Sequence, residues 1–180
     1  DFIKAVDNFT SHEMRFHNLN NAVWMHDLLY ERIYNDEEWT LFCPKTVKTL
    51  QDKYGQEFED EYIKLETLAI EREGLLAVAE ARYLDLRHRL EEDSNLEEEH
   101  LEAYNAFQTA LKNRIVYKKV MAKDIMKLIC DIQLKSGKPY VMNGDQCNYK
   151  SNHKNLGAIN NSNLCAEIVE YSDSKTIASC

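Results

Sequence analysis

The fold class this sequence predicts is α/β, mostly helical with a few short strands. Three observations predict it. Only two prolines and five glycines punctuate 180 residues, so long helices run uninterrupted. Apolar residues recur at three- and four-residue steps over several long stretches. Between those stretches lie short β-prone runs bounded by Pro44, Pro139 or Gly144.

The elements follow in chain order. Over 19–34, Val23, Trp24, Leu28, Leu29 and Ile33 keep helical spacing and Asn35-Asp36 ends the pattern, which predicts one helix. Trp39-Thr40-Leu41-Phe42-Cys43, closed by Pro44, predicts an extended run. Residues 46–54 predict a short helix with Gly55 as its stop. Within 57–113, Leu76, Ala79, Tyr83, Leu86 and Leu90 step as a heptad seam. Asp93-Ser94-Asn95 interrupts that seam, and Ser94 and Glu97 have capping-box spacing for a second helix with Leu101, Tyr104, Phe107 and Leu111 on one face. An antiparallel helical hairpin is therefore predicted, acidic around its tip. A further amphipathic helix is predicted over 117–134, burying Val120, Met121, Ile125, Leu128, Ile129 and Ile132, and Ser136-Gly137-Lys138-Pro139 ends it. A β-prone run over 139–142 leads to a Gly144-Asp145 turn. The asparagine-rich stretch 147–163 predicts ordered turns, and a strand signal returns over 164–171.

A chain of 21.1 kDa can bury one sizeable core. With 29% charged residues and a mean hydropathy of -0.56, it reads as a soluble globular chain. There is no apolar run of about 20 residues and no basic-then-apolar opening, so a cytoplasmic address is expected. The formal charge of -9 is local: residues 57–114 hold 16 acidic against 7 basic side chains, and the remainder balances. Such a surface argues against a nucleic-acid backbone as partner. The five cysteines are odd in number and widely spaced, which fits neither a disulfide framework nor a zinc ribbon. Cys43, Cys130 and Cys147 read as small buried thiols. No HxxxH or HExxH spacing occurs, so no metal site is expected.

Asn163-Leu164-Cys165-Ala166-Glu167 carries the most chemistry. In extended backbone, Asn163, Cys165 and Glu167 share one face, with neighbours about 6–7 Å apart, and Leu164, Ala166 and Ile168 share the other. An amide, a thiol and a carboxylate in a row suit hydrogen bonding, sulfur chemistry and proton abstraction on one ligand. By spacing alone, an edge strand with a wet polar face is the better account of the pattern, and N-x-C-x-E by itself is a weak signal.

Several separated blocks then decide more. They are Arg15-Phe16-His17-Asn18-Leu19-Asn20, Trp39-Thr40-Leu41-Phe42-Cys43-Pro44, Ser136-Gly137-Lys138-Pro139-Tyr140-Val141, Cys147-Asn148-Tyr149-Lys150-Ser151-Asn152 and Asn155-Leu156-Gly157. The last is Ser162-Asn163-Leu164-Cys165-Ala166-Glu167-Ile168-Val169-Glu170-Tyr171, followed by Cys180. In these blocks the chain resembles the large catalytic subunit of class I ribonucleotide reductase. The resemblance implies an internal fragment of a ten-stranded α/β barrel whose interior is entered by a loop with a radical-forming cysteine at its tip. Cys165 matches that cysteine, Glu167 the base for the 3′-hydroxyl, Asn163 the amide that binds substrate, and Cys180 one of the redox-active pair. The barrel would shield the thiol from water.

The resemblance further implies reduction of ribonucleoside diphosphates for deoxyribonucleotide biosynthesis by a thiyl-radical route, the fragment being inactive alone. It implies a metal-containing, radical-generating small subunit, a thioredoxin- or glutaredoxin-type reductant, nucleotide effectors of the ATP/dATP class, and a homodimer of large subunits. No cofactor is expected on this stretch itself. The organisation expected is 1–64 as part of the first half-barrel, 65–113 as an acidic hairpin insertion longer than the family's usual connection, and 114–180 as barrel helix, strand and cysteine loop. The alternative is a non-catalytic interaction module built on the hairpin.

Overall fold

The structure, a computed structural model, describes residue 3 and residues 21–91, 94–163 and 165–178, with Ser94 described by its backbone alone. Contacts divide the chain into two units: Asp1–Trp39 with Thr49–Asp60 and Lys119–Cys180, and Thr40–Lys48 with Glu61–Lys118. The block 15–20 lies outside the described residues.

In the first unit, β1 (Ala22–Met25) pairs in parallel with β4 (Tyr140–Asn143), Ala22 opposite Tyr140 and Met25 opposite Asn143. Helices α1 (Asp27–Asn35) and α4 (Ala122–Ser136) pack on one another beside this pair. Met25, Leu29, Ala122 and Ile129 form the buried core, with Val23, Ile33, Trp39 and Ile125 packed around it. The helix expected from residue 19 thus begins only at Asp27. Residues 22–25 are a strand because their backbone groups find partners on β4, and His26 stays extended (φ -90°, ψ 153°) before the helix. Asp36 ends α1 in the left-handed region, φ 62°.

A second two-stranded ladder joins β2 (Glu38–Phe42) to β3 (Tyr117–Met121). Its outer hydrogen bonds run from Ala122 N–H to Glu37 O at 3.0 Å and from Cys43 N–H to Val116 O at 2.8 Å. The helix expected from 117 therefore starts at Ala122, since the preceding five residues pair as strand. Met121 is exposed, whereas Ile129 and Ile132 are buried as expected. Gly137, φ 72°, caps α4 by donating to Gln133 O at 2.8 Å. Cys130 is exposed rather than buried, because it lies off the helix stripe that Ile129 and Ile132 turn inward.

The expected turn at Gly144 is instead the start of α5 (Gly144–Lys150). Gly144 is required there: a Cβ would lie 2.2 Å from Trp24 Nε1. Gly144→Ala should cost about 2 kcal/mol, the usual penalty of overpacking, and a thermal melt that does not move refutes the contact.

In the second unit, α2 (Gly55–Leu90), whose larger part lies there, and α3 (Glu97–Lys112) form the predicted hairpin, joined through a 3-10 turn at Ser94–Leu96. The seam on α2 runs further than expected. Tyr62, Leu65, Ala69, Leu76 and Leu86 are buried, and Arg72, Ala79, Tyr83 and Leu90 are half-buried between and beyond them in steps of three and four. On α3 the inward face is His100, Ala103, Phe107 and Ala110; of the expected face Phe107 turns inward, whereas Leu101, Tyr104 and Leu111 are exposed. The bulk of Tyr83 explains the rotation. Its ring stacks on Phe107 at 5.5 Å and lies 5.3 Å from His100, so small alanines fill the neighbouring contacts. α3 begins after Leu96, whose side chain makes no capping hydrogen bond, and the Ser94 side chain of the expected capping box lies outside what is described. Thr40 anchors to α2, its N–H donating to Tyr62 Oη at 2.7 Å while that hydroxyl donates to Thr40 O at 2.8 Å.

Gly55, expected to stop a helix, opens α2 with φ 56°, and 46–54 holds only a 3-10 turn at Lys48–Leu50. Among the described residues no helix is long and apolar enough to cross a membrane.

Candidate functional site

Two buried polar side chains lie one helical turn apart on α5, Asp145 and Asn148, and the second holds the chain that leads to the cysteine loop. Asp145 is 1% exposed. Its Oδ1 lies 2.8 Å from His26 Nδ1 and accepts the Gly55 N–H at 2.8 Å, while Oδ2 accepts the Asp27 N–H at 2.7 Å. The His26 ring stacks on Phe58, centroids 3.5 Å apart. One carboxylate thus joins the β1–α1 junction and the first residue of α2 to α5. This is why Gly55 starts a helix: its otherwise orphaned N–H is satisfied from outside.

Burial alone would push the Asp145 carboxyl up. The His26 hydrogen bond and the two backbone N–H groups outweigh it and hold the carboxyl below its ordinary value. A carboxyl lowered by folding contributes stability above its unfolded value and loses it as pH falls through the folded value. Wild type should therefore lose stability in acid, below about pH 4, more steeply than Asp145→Asn. Parallel pH dependences of melting temperature in the two proteins would refute this.

Asn148, also 1% exposed, grips the chain that leads to the loop. Its Nδ2 donates to Gly144 O at 2.9 Å and Ile159 O at 2.9 Å, and its Oδ1 accepts the Ile159 N–H at 2.7 Å. A side-chain amide here does the work of a strand neighbour for Ile159, as expected of the asparagine-rich stretch. Burial pushes the adjacent Cys147 thiol up, with Lys150 opposing, which keeps that sulfur protonated.

The strand expected over 164–171 does not form among the described residues. Asn163 N–H donates to Ile168 O at 3.1 Å, and Ile168 N–H donates to Asn163 Oδ1 at 2.9 Å. Ala166 N–H reaches back to Asn163 O at 3.3 Å, with Ala166 in the left-handed region at φ 66°. The result is a pinched loop with Cys165 at its tip. The two-residue alternation that would align Asn163, Cys165 and Glu167 is broken because local side-chain to backbone bonds replace a strand partner. Cys165 and Glu167 are exposed and Asn163 half-buried. A cleft of about 260 Å³ lies beside the loop, lined by Asn163, Ile168, Glu170 and Ile177 among others, and neither Cys165 nor Glu167 lines it. The expected apolar enclosure of the sulfur is thus absent among the described residues. Leu164 and Cys180 lie outside them.

No group of three or more His, Cys, Asp or Glu positioned for a metal ion occurs among the described residues. The sequence reading missed His26 and Asp145, and it expected Asn148 to bond backbone groups from a turn rather than from a helix. Their signal was the spacing of Asp145 and Asn148, three apart and so on one face of a helix, which a turn assignment at Gly144 hid.

Comparison with known proteins places this geometry in context. The family model described as ribonucleotide reductase, barrel domain, matches residues 1–180. The ribonucleoside-diphosphate reductase large chain of Encephalitozoon cuniculi is 32% identical over 180 residues, covering 100% of this chain and 17% of that protein. The large subunit of Arabidopsis thaliana is 32% identical over 180 residues, covering 100% of this chain and 16% of its own length. That of Vaccinia virus (strain Copenhagen) is 30% identical over 179 residues, 99% of this chain and 17% of the viral protein. The chain thus spans about a sixth of the length of these curated relatives.

Proposed function

Because the chain belongs to the ribonucleotide reductase barrel-domain family, we propose that the protein carrying it reduces ribonucleoside diphosphates to deoxyribonucleoside diphosphates by a thiyl-radical route. The observation that carries this reading is the placement of Cys165 at the tip of a loop pinned by Asn163 and Ile168. A tip position lets one sulfur enter a substrate cavity while the loop's base stays fixed to α5 through Asn148.

On this reading Cys165, as a thiyl radical, takes the 3′-hydrogen and becomes a thiol, and after the 2′-position is reduced it returns that hydrogen to C3′ and is a thiyl radical again. Glu167 accepts the 3′-hydroxyl proton, and Asn163 holds the sugar by its amide. The 2′-hydroxyl leaves as water, with Cys180 and a second cysteine supplying the reducing equivalents as they close to a disulfide. A thiol that must keep its hydrogen benefits from a dry site, so the remainder of the barrel would close over the exposed Cys165. The radical would come from a metal-containing small subunit, the electrons from a thioredoxin- or glutaredoxin-type protein, and regulation from nucleotides of the ATP/dATP class. A cytoplasmic, homodimeric enzyme is the setting that fits. The organisation proposed is a half-barrel portion over 1–64, an inserted hairpin over 65–113, and the barrel helix, strand and cysteine loop over 114–180.

Family membership favours this over a chain whose sole task is binding through the hairpin. The test is direct: the complete protein, mixed with its small subunit and a dithiol, should convert a ribonucleoside diphosphate to its deoxy form. Measured substrate binding with no deoxy product would overturn the proposal.

A further inference from the structure

The loop that carries Cys165 is anchored where it enters and again where it leaves. On entry, Asn148 holds both backbone groups of Ile159 to α5. On exit, Glu170 and Ser172 line the cleft beside Asn163, and Tyr171 between them does not. Its ring lies against Gly157 instead, where a Cβ would come 2.5 Å from Tyr171 Cε2 and 3.2 Å from Cζ. Glycine is required at that contact, since any side chain would take the place of the ring.

The two anchors act on one stem. Gly157 lies two residues before Ile159, so the backbone that Tyr171 rests on is the backbone that Asn148 fixes. Residues 158–170, with Cys165 near their middle, therefore form a loop whose two ends are held together and held to α5, as in a compact Ω-loop. Within it, the Asn163 and Ile168 bonds at 3.1 and 2.9 Å pin the neck around Cys165. Beyond it, Asp173 Oδ2 accepts the Tyr171 hydroxyl at 3.2 Å, and its Oδ1 accepts the Lys175 and Thr176 N–H groups at 2.7 Å each. Those bonds are exposed, and water can replace them; it cannot replace the contact of the ring with the glycine backbone. A loop tethered at its entry stem alone would swing about that stem, and a misplacement of about 1 Å at a reacting group costs about 100-fold in rate.

We propose that Tyr171 is a positioning residue: seated on Gly157, it clamps the exit stem of the loop to the stem fixed by Asn148 and so sets where Cys165 reaches. On the reading that Cys165 takes the 3′-hydrogen, on which this assignment rests, the Asn155-Leu156-Gly157 block gains a task although it supplies no reacting group. Tyr171 transfers neither electron nor proton here; its ring acts by shape.

The test uses the complete protein with its small subunit. Tyr171→Ala should lower isotope release from a 3′-labelled ribonucleoside diphosphate about 100-fold while substrate binding weakens less than about tenfold. Tyr171→Phe keeps the ring and should release isotope at the wild-type rate. Gly157→Ala should reproduce the loss in the wild-type background and add nothing to Tyr171→Ala, because the ring it displaces is already gone. Hydrogen exchange at Ile168, whose N–H is held by Asn163, should quicken in Tyr171→Ala and Gly157→Ala but not in Tyr171→Phe. Undiminished isotope release by Tyr171→Ala overturns the proposal, as does a loss in Tyr171→Phe equal to that in Tyr171→Ala, which would assign the role to the hydroxyl. A wild-type protein that releases no isotope refutes the catalytic reading alone, and the clamp then stands or falls on the exchange at Ile168.

Discussion

Cys165→Ser in the complete protein should lower deoxyribonucleotide formation by about 10⁴-fold or more, with ribonucleoside diphosphate still bound. Serine is nearly isosteric, and the bonds that pin the loop run between Asn163 and Ile168, so the backbone should not move. What is lost is the weak S–H bond, which a radical can break and re-form where an O–H cannot. Release of isotope from a 3′-labelled substrate should stop in this variant. In Cys180→Ser it should persist while normal product fails, because that cysteine is assigned to reduction and not to hydrogen abstraction. Normal turnover by Cys165→Ser would remove this sulfur from the mechanism.

Asn148→Ala should destabilise the protein by about 3 kcal/mol, because it removes three hydrogen bonds and leaves the buried N–H and C=O of Ile159 unsatisfied. Asn148→Asp should not rescue it. The carboxylate can still accept from Ile159 N–H, yet it meets two carbonyl oxygens where the amide donated. Hydrogen exchange at Ile159 should accelerate in both variants, and turnover should fall with it if the loop is positioned through this amide. Wild-type exchange and stability in Asn148→Ala would show that Ile159 is held by other means.

Part of this site was legible in the residues. The flanking blocks marked 163–167 as the candidate site, and the run of asparagines announced side-chain to backbone bonding, which Asn148 provides. The geometry of the loop was not legible. Alternation over 163–167 describes a strand only if another strand supplies partners, and Asn163 supplies them locally instead. Asp145 was hidden for a related reason: its ligands are His26, Asp27 and Gly55, and none is a sequence neighbour.

Local periodicity determined what depends on residues a few places apart. The seam of Leu76, Ala79, Tyr83, Leu86 and Leu90 and the Gly137 cap come from such short-range rules. Tertiary structure decided whatever needed a distant partner. Ala22–Met25 and Tyr117–Met121 became strands because β4 and β2 offered their backbone groups hydrogen bonds that a helix would have had to supply internally. The rotation of α3 was settled by the Tyr83 ring, and the start of α2 at Gly55 by a carboxylate from α5. Spacing encodes which side chains share a face; it does not encode what that face will meet.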